Sequence, residues 1–239
     1  MIRMLIVAFA ALLGPAAAAQ SVSDKEMREI QARYGECVVK KHHSEARTFV
    51  LDSQLPRAEY RRMMGKLVDG PCLERTASGV GRIQMRFPLD TMRYALADAL
   101  VRREFAAMPP AGIEAAGALA PLRFNPAAFE PKPGQKATKT ELEELARDRD
   151  RSLAMAFLAE YGECVVRANT ADSRRLLLTD PATPAESAAF TSLAPQMGNC
   201  LTGVQKVSLN KTALRGAIAL NYYRLAHAPR VAAAAGVTR

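Results

Sequence analysis

Residues 34–39 read YGECVV, and residues 161–166 read YGECVV again. An identity of that length inside one chain, with a cysteine in each copy, points to a repeated structural unit. The match grows outward from the hexapeptide. With Tyr34 laid on Tyr161, Glu45 meets Asp172, Arg47 meets Arg174, and Phe49-Val50-Leu51 meet Leu176-Leu177-Leu178. After a one-residue insertion Cys72-Leu73 falls on Cys200-Leu201. After a short deletion Met92-Arg93-Tyr94-Ala95-Leu96-Ala97 falls on Leu214-Arg215-Gly216-Ala217-Ile218-Ala219, and Arg102 on Arg224.

Each copy reads as four helices. The first opens at a capping box, Ser23-Asp24-Lys25-Glu26 in one copy and Thr140-Glu141-Leu142-Glu143 in the other, because a hydroxyl and a carboxylate three residues on satisfy each other's free N–H groups. Met27, Ile30, Tyr34, Cys37 and Val38 then recur at helical spacing, as do Leu153, Phe157, Tyr161, Cys164 and Val165. These helices are expected to end near His43 and Asn169. Short second helices follow over Ser44–Leu51 and Asp172–Leu178. Third helices start at Pro56 and Pro184, since proline at the first helical position gives up an N–H that has no partner anyway. Thr183-Pro184-Ala185-Glu186 is a further capping box. Gly70-Pro71-Cys72 and Gly198-Asn199-Cys200 read as turns that end the third helices. Alternation of Ile83, Met85 and Phe87, and of Val207 and Leu209, suggests short extended pieces. The fourth helices are Pro88–Phe105 and Asn210–His227, with Met92, Leu96, Ala99, Leu100 and Leu214, Ile218, Asn221, Tyr222 facing inward.

The expected fold is therefore all-α: two tandem four-helix units related by internal duplication, residues 20–105 and 140–228. Residues 106–139 are rich in proline and alanine and read as a linker. Within it Leu122-Arg123-Phe124-Asn125-Pro126 echoes Met85-Arg86-Phe87-Pro88, which suggests an extended segment lying on one unit. Residues 229–239 read as a disordered tail.

At the other end, Arg3 precedes an apolar run from Met4 to Leu13, broken by Gly14-Pro15 and followed by Ala17-Ala18-Ala19. That is the pattern of a secretory signal peptide, residues 1–19, cleaved to leave Gln20 or Ser21 first. The run is well short of the roughly 20 residues that span a bilayer as a helix. A soluble, exported, periplasmic or secreted protein is expected. The chain has four cysteines, an even number that suits disulfides in an oxidising compartment. The duplication favours Cys37–Cys72 and Cys164–Cys200, so that each unit carries its own bridge. No CxxC pair is present to suggest redox chemistry.

The formal net charge is +9, one unit of it from Arg3. This favours anionic partners by long-range attraction, an envelope component or a protein surface among them. The basic residues are scattered and Trp is absent, which argues against the stacking platforms and basic stripe of a nucleic-acid binder.

Candidate chemistry is thin. Glu36 and Glu163 precede the cysteines, and Arg93 and Arg215 open the fourth helices at matching places. They are read as structural ion pairs, one per unit, joining first to fourth helix. Gly35 and Gly162 lie inside the first helices, where glycine costs roughly 0.5–1 kcal/mol relative to alanine, and so suggest close approach of another helix. His42-His43-Ser44-Glu45 has metal-ligand residue types, but adjacent helical histidines diverge, and a solvated helix end is the simpler reading. No catalytic residue, cofactor site or metal site is assigned, and no GxSxG, Walker, HExxH or dinucleotide-binding motif occurs.

The combination of leader, GECVV, prolyl helix, second cysteine and LRGAIA-type helix resembles small uncharacterised exported proteins of Gram-negative bacteria. The resemblance covers both units but not the linker, and it implies a periplasmic location only. The functional expectation is a non-enzymatic binding module working through a groove between units or helices. The rival is an enzyme acting on cell-envelope material.

Overall fold

The computed structural model describes residues 22–52, 57–77, 89–120, 129–131, 136–201 and 210–230. The expected leader, the alternating segments 83–87 and 207–209, the echo at 122–126 and residues 231–239 fall outside the described residues. What is described is mainly helical: α1 (Asp24–Lys41), α2 (His43–Leu51), α3 (Arg57–Leu67), α4 (Gly70–Thr76), α5 (Leu89–Phe105), α6 (Lys139–Ala168), α7 (Thr170–Leu178), α8 (Pro184–Asn199) and α9 (Lys211–His227). No strand occurs among the described residues; a single bridge pairs Ala116 with Arg230.

Most helix starts follow the capping chemistry. Ser23 accepts from the Glu26 N–H while the Glu26 side chain returns to the Ser23 backbone. In the second half the box forms two residues earlier than expected, between Thr138 and Glu141 rather than Thr140 and Glu143. Both spacings satisfy the rule, and the earlier one adds residues to a helix that nothing else interrupts. At α8 only half a box forms. Thr183 accepts from the Glu186 N–H, but the Glu186 carboxylate turns away to Ala182 N and to two arginines. The largest departure is at Gly70-Pro71-Cys72, expected as a turn. Asp69 caps a new helix there by accepting from Cys72 N at 2.7 Å, and Pro71 in the first turn fits because its N–H would have no partner. Cys72 is therefore helical.

Cys37 bonds Cys72 and Cys164 bonds Cys200, with Cα atoms 5.7 and 5.8 Å apart. Cys164 is exposed, not part of a buried stripe, so its bridge lies at the rim of the fold. Nearby, the hexapeptide tyrosines perform the same task in both halves: Tyr34 Oη donates to Leu67 O at 2.8 Å and Tyr161 Oη to Met197 O at 3.2 Å. Leu153, expected inside, is 41% exposed, because the first half of α6 stands clear of the body.

The centre of the molecule is the pair α5 and α9, packed along each other. Every residue of α9 from Leu214 to Leu225 is buried, the condition of a helix enclosed on all sides. Three glycines permit the approach. A Cβ at Gly35 would lie 2.5 Å from Ala95 O, and one at Gly162 would lie 2.6 Å from Ala217 O. At the α5–α9 crossing Gly216 lies under the Tyr94 ring, with Cγ 2.4 Å from where its Cβ would be. One apolar core runs from Tyr34, Val38 and Phe49 through Leu96 and Leu100 to Tyr222, Leu177 and Leu193. The start of the proline-rich segment joins it, with Ile113 and Ala116 buried. Arg167 donates to Ala116 O and Gly117 O, and Gly117 N donates to Pro229 O.

Candidate binding cleft

Between α1, α5, α6 and α9 lies a cleft of about 510 Å³. The first two helices come from one half of the chain and the last two from the other. Met27, Tyr94, Ala95, Met155, Leu158 and Gly216 line it together with the charged Asp24, Arg28, Asp98, Arg151 and Arg215. The Tyr94 hydroxyl donates to Met155 Sδ at 3.5 Å.

Under the cleft is a buried ionic cluster. Glu186, 0% exposed, sits in the first turn of α8, where the free N–H groups favour a negative charge. Its Oε1 accepts from Arg28 Nη2 at 2.6 Å and from Arg215 Nη1 at 3.2 Å. Its Oε2 accepts from Ala182 N at 3.0 Å. Ala182 holds φ at 60°, the left-handed region.

Arg215 is saturated. It grips Asp98 with two parallel bonds, Nη2 to Oδ1 at 3.0 Å and Nε to Oδ2 at 3.2 Å. It also donates to Leu176 O, Leu177 O and Thr179 O, at 3.0, 2.9 and 3.0 Å. Those carbonyls end α7, where acceptors have no helical partner and a cation meets the negative end of the dipole. Arg102 approaches Asp98 at 3.7 Å and donates to Asp180 and to Thr179 O.

The expected pairing of Arg215 with Glu163 does not form. Glu163 takes the guanidinium of Arg167, one turn along its own helix, at 2.8 Å. Arg215 instead works across the two halves, because the face of α9 that carries it is turned to α5 and α7. Glu36 is 52% exposed and 3.7 Å from Arg102, while the Arg93 guanidinium lies 4.7 Å above the Phe49 ring.

The adjacent histidines diverge because His42 is the non-helical residue between α1 and α2, and each is paired rather than simply solvated. His42 Nε2 meets Asp69 at 3.1 Å and His43 Nε2 meets Glu104 at 2.8 Å. Glu104 also accepts from Tyr223 Oη at 2.8 Å and lies 3.6 Å from His227 Nε2, which ties the ends of α2, α5 and α9. Burial, reinforced by the Glu104 charge, pushes the Tyr223 hydroxyl far above the usual tyrosine range. Among the described residues no group of His, Cys, Asp and Glu could hold a metal ion.

Arg28 was not singled out in the sequence. Its signal was a break in the sequence match: with Tyr34 laid on Tyr161, Arg28 falls on Met155, and both residues line the same cleft.

The fold and the site together define a disulfide-tied helical protein with a cleft between its halves and a buried ionic floor. No family model matches the chain, and no curated protein or solved structure matches it.

Proposed function

We propose that the chain is a non-enzymatic binding module, exported to a periplasmic or extracellular compartment by its Met1–Ala19 leader. It was built by duplication of one disulfide-tied helical unit, and it takes its ligand in the cleft between α1, α5, α6 and α9. The observation that carries this reading is a cavity of about 510 Å³ with mostly apolar walls and Arg28 at its base. Small-molecule sites combine such walls with a few placed polar groups, at volumes of about 300–1,000 Å³.

Two disulfides fit an oxidising compartment. Among the described residues no helix is long and apolar enough to cross a membrane. Binding is favoured over envelope-directed catalysis because Asp98 and Glu186, the buried acids at the cleft, are both held by guanidinium groups. A general acid or base has to exchange its proton with substrate, and such bonds oppose that.

The test is titration of the protein with 1-anilinonaphthalene-8-sulfonate, followed by fluorescence. The expected result is saturable binding at one site, weakened roughly tenfold or more by Ala32→Trp, which fills the cleft from α1. Circular dichroism verifies that the variant is folded. Equal dye binding by the folded variant would place the site elsewhere.

A further inference from the structure

We infer that the cleft is selective for a small amphiphile with a single carboxylate end, and that Arg28 receives that end. The inference rests on the cleft being the binding site. A guanidinium carries five N–H donors in a planar fork. Arg28 is 7% exposed and spends one nitrogen, Nη2, on Glu186; its Nε and Nη1 have no hydrogen-bond partner among the described residues. Arg215, a few ångströms away across Glu186, uses all three of its nitrogens. Two arginines share one carboxylate, and only one of them has donors left for a ligand.

Charge agrees with geometry. Glu186 is divided between Arg28 and Arg215, and Asp98 between Arg215 and Arg102. Arg102 is balanced from the solvent side by Asp180 and Glu36. Of the three arginines in the buried cluster, Arg28 is thus the one that meets a single carboxylate. A carboxylate can accept from one of these remaining donors, and such charge-assisted bonds are short and strong. A doubly charged phosphate fits less well, because Asp98 and Glu186 are close by and repel the second charge. The apolar part of the same lining includes Met27, Met155, Leu158 and Tyr94. Thioether side chains adapt to irregular apolar shapes, which suits an aliphatic or aromatic body.

The experiment compares dodecanoate, dodecanol and dodecylammonium below their micelle concentrations, by isothermal titration calorimetry with the full exported chain. The expected order is dodecanoate tightest, with dodecanol weaker by roughly tenfold or more, the scale of one charge-assisted hydrogen bond. Arg28→Met is expected to abolish that preference while leaving dodecanol affinity unchanged. Arg28→Lys keeps the charge and loses the fork, so it is expected to retain part of the preference, and it serves if Arg28→Met does not fold. Equal binding of acid and alcohol by the wild-type chain, or an unchanged preference in the variants, would overturn the role of Arg28 and leave the cleft reading standing. Absence of binding by all three compounds, together with failure of the dye titration, would remove the cleft reading itself.

Discussion

Two glycines inside helices have opposite prospects on substitution. Gly162→Ala would put a methyl 2.6 Å from Ala217 O and from Asn221 Nδ2, backbone and a buried amide that cannot easily withdraw. A loss of about 1–3 kcal/mol is expected from overpacking of this kind. Gly65 also lies within a helix, but a Cβ there meets nothing within 4 Å, so Gly65→Ala is expected to gain about 0.5–1 kcal/mol. Urea unfolding of the two variants checks both signs; a stabilised Gly162→Ala would mean that α6 and α9 are not in contact. Arg215→Met is a harsher change. It leaves Asp98 buried without its two bonds and α7 without its terminal donors, for an expected loss of about 3–5 kcal/mol. The close-approach role of the glycines was legible because glycine inside a helical stripe is unfavourable without a packing reason. The importance of Arg215 was legible too, but not its partners. Those are set by how one half crosses the other, which no local spacing encodes.

Among the elements, α4 was the one misread, and it offers its own test. Gly-Pro after a helix is turn chemistry, and only the carboxylate of Asp69, placed to accept from Cys72 N, converts it into a helix start. Burial alone would raise the Asp69 pKa, but bonds from the Cys72 N–H, Lys41 and His42 outweigh it and bring it below the usual value of 3.8. A depressed carboxylate pKa gives stability that is complete above the unfolded value and disappears as pH falls through the folded one. Asp69→Ala is therefore expected to cost about 1 kcal/mol at neutral pH, the worth of an N-cap. That difference from the wild type should shrink as the pH falls below about 4, toward the lowered folded pKa. A difference constant down to pH 2 in thermal unfolding would show that the carboxylate charge has no part in the cap. The other helices were readable from proline, capping pairs and apolar spacing. The total enclosure of α9 was not, because Arg224 in its sequence imitates a solvated face while being buried.

At the scale of the whole molecule, the two halves of the chain unfold either together or separately. Sequence repetition treats each half as its own small body, closed by its own bridge. The packing argues for cooperation: α5 lies along α9, Gly216 sits under Tyr94, and Glu186 of one half is held by Arg28 of the other. A half released from its partner would expose the inner face of α5 or α9 and strand those charges. Each disulfide closes a loop with a sequence separation of 35 or 36 residues, worth roughly 3–4 kcal/mol in the chain-entropy account. Independent halves would melt in two steps, and Cys37→Ala with Cys72→Ala would move one step alone. A shared core predicts one calorimetric transition whose van't Hoff and calorimetric enthalpies agree. Loss of either bridge should then lower that single midpoint by roughly 10 °C. Two transitions, one of them indifferent to the missing bridge, would separate the halves and with them the cleft they enclose.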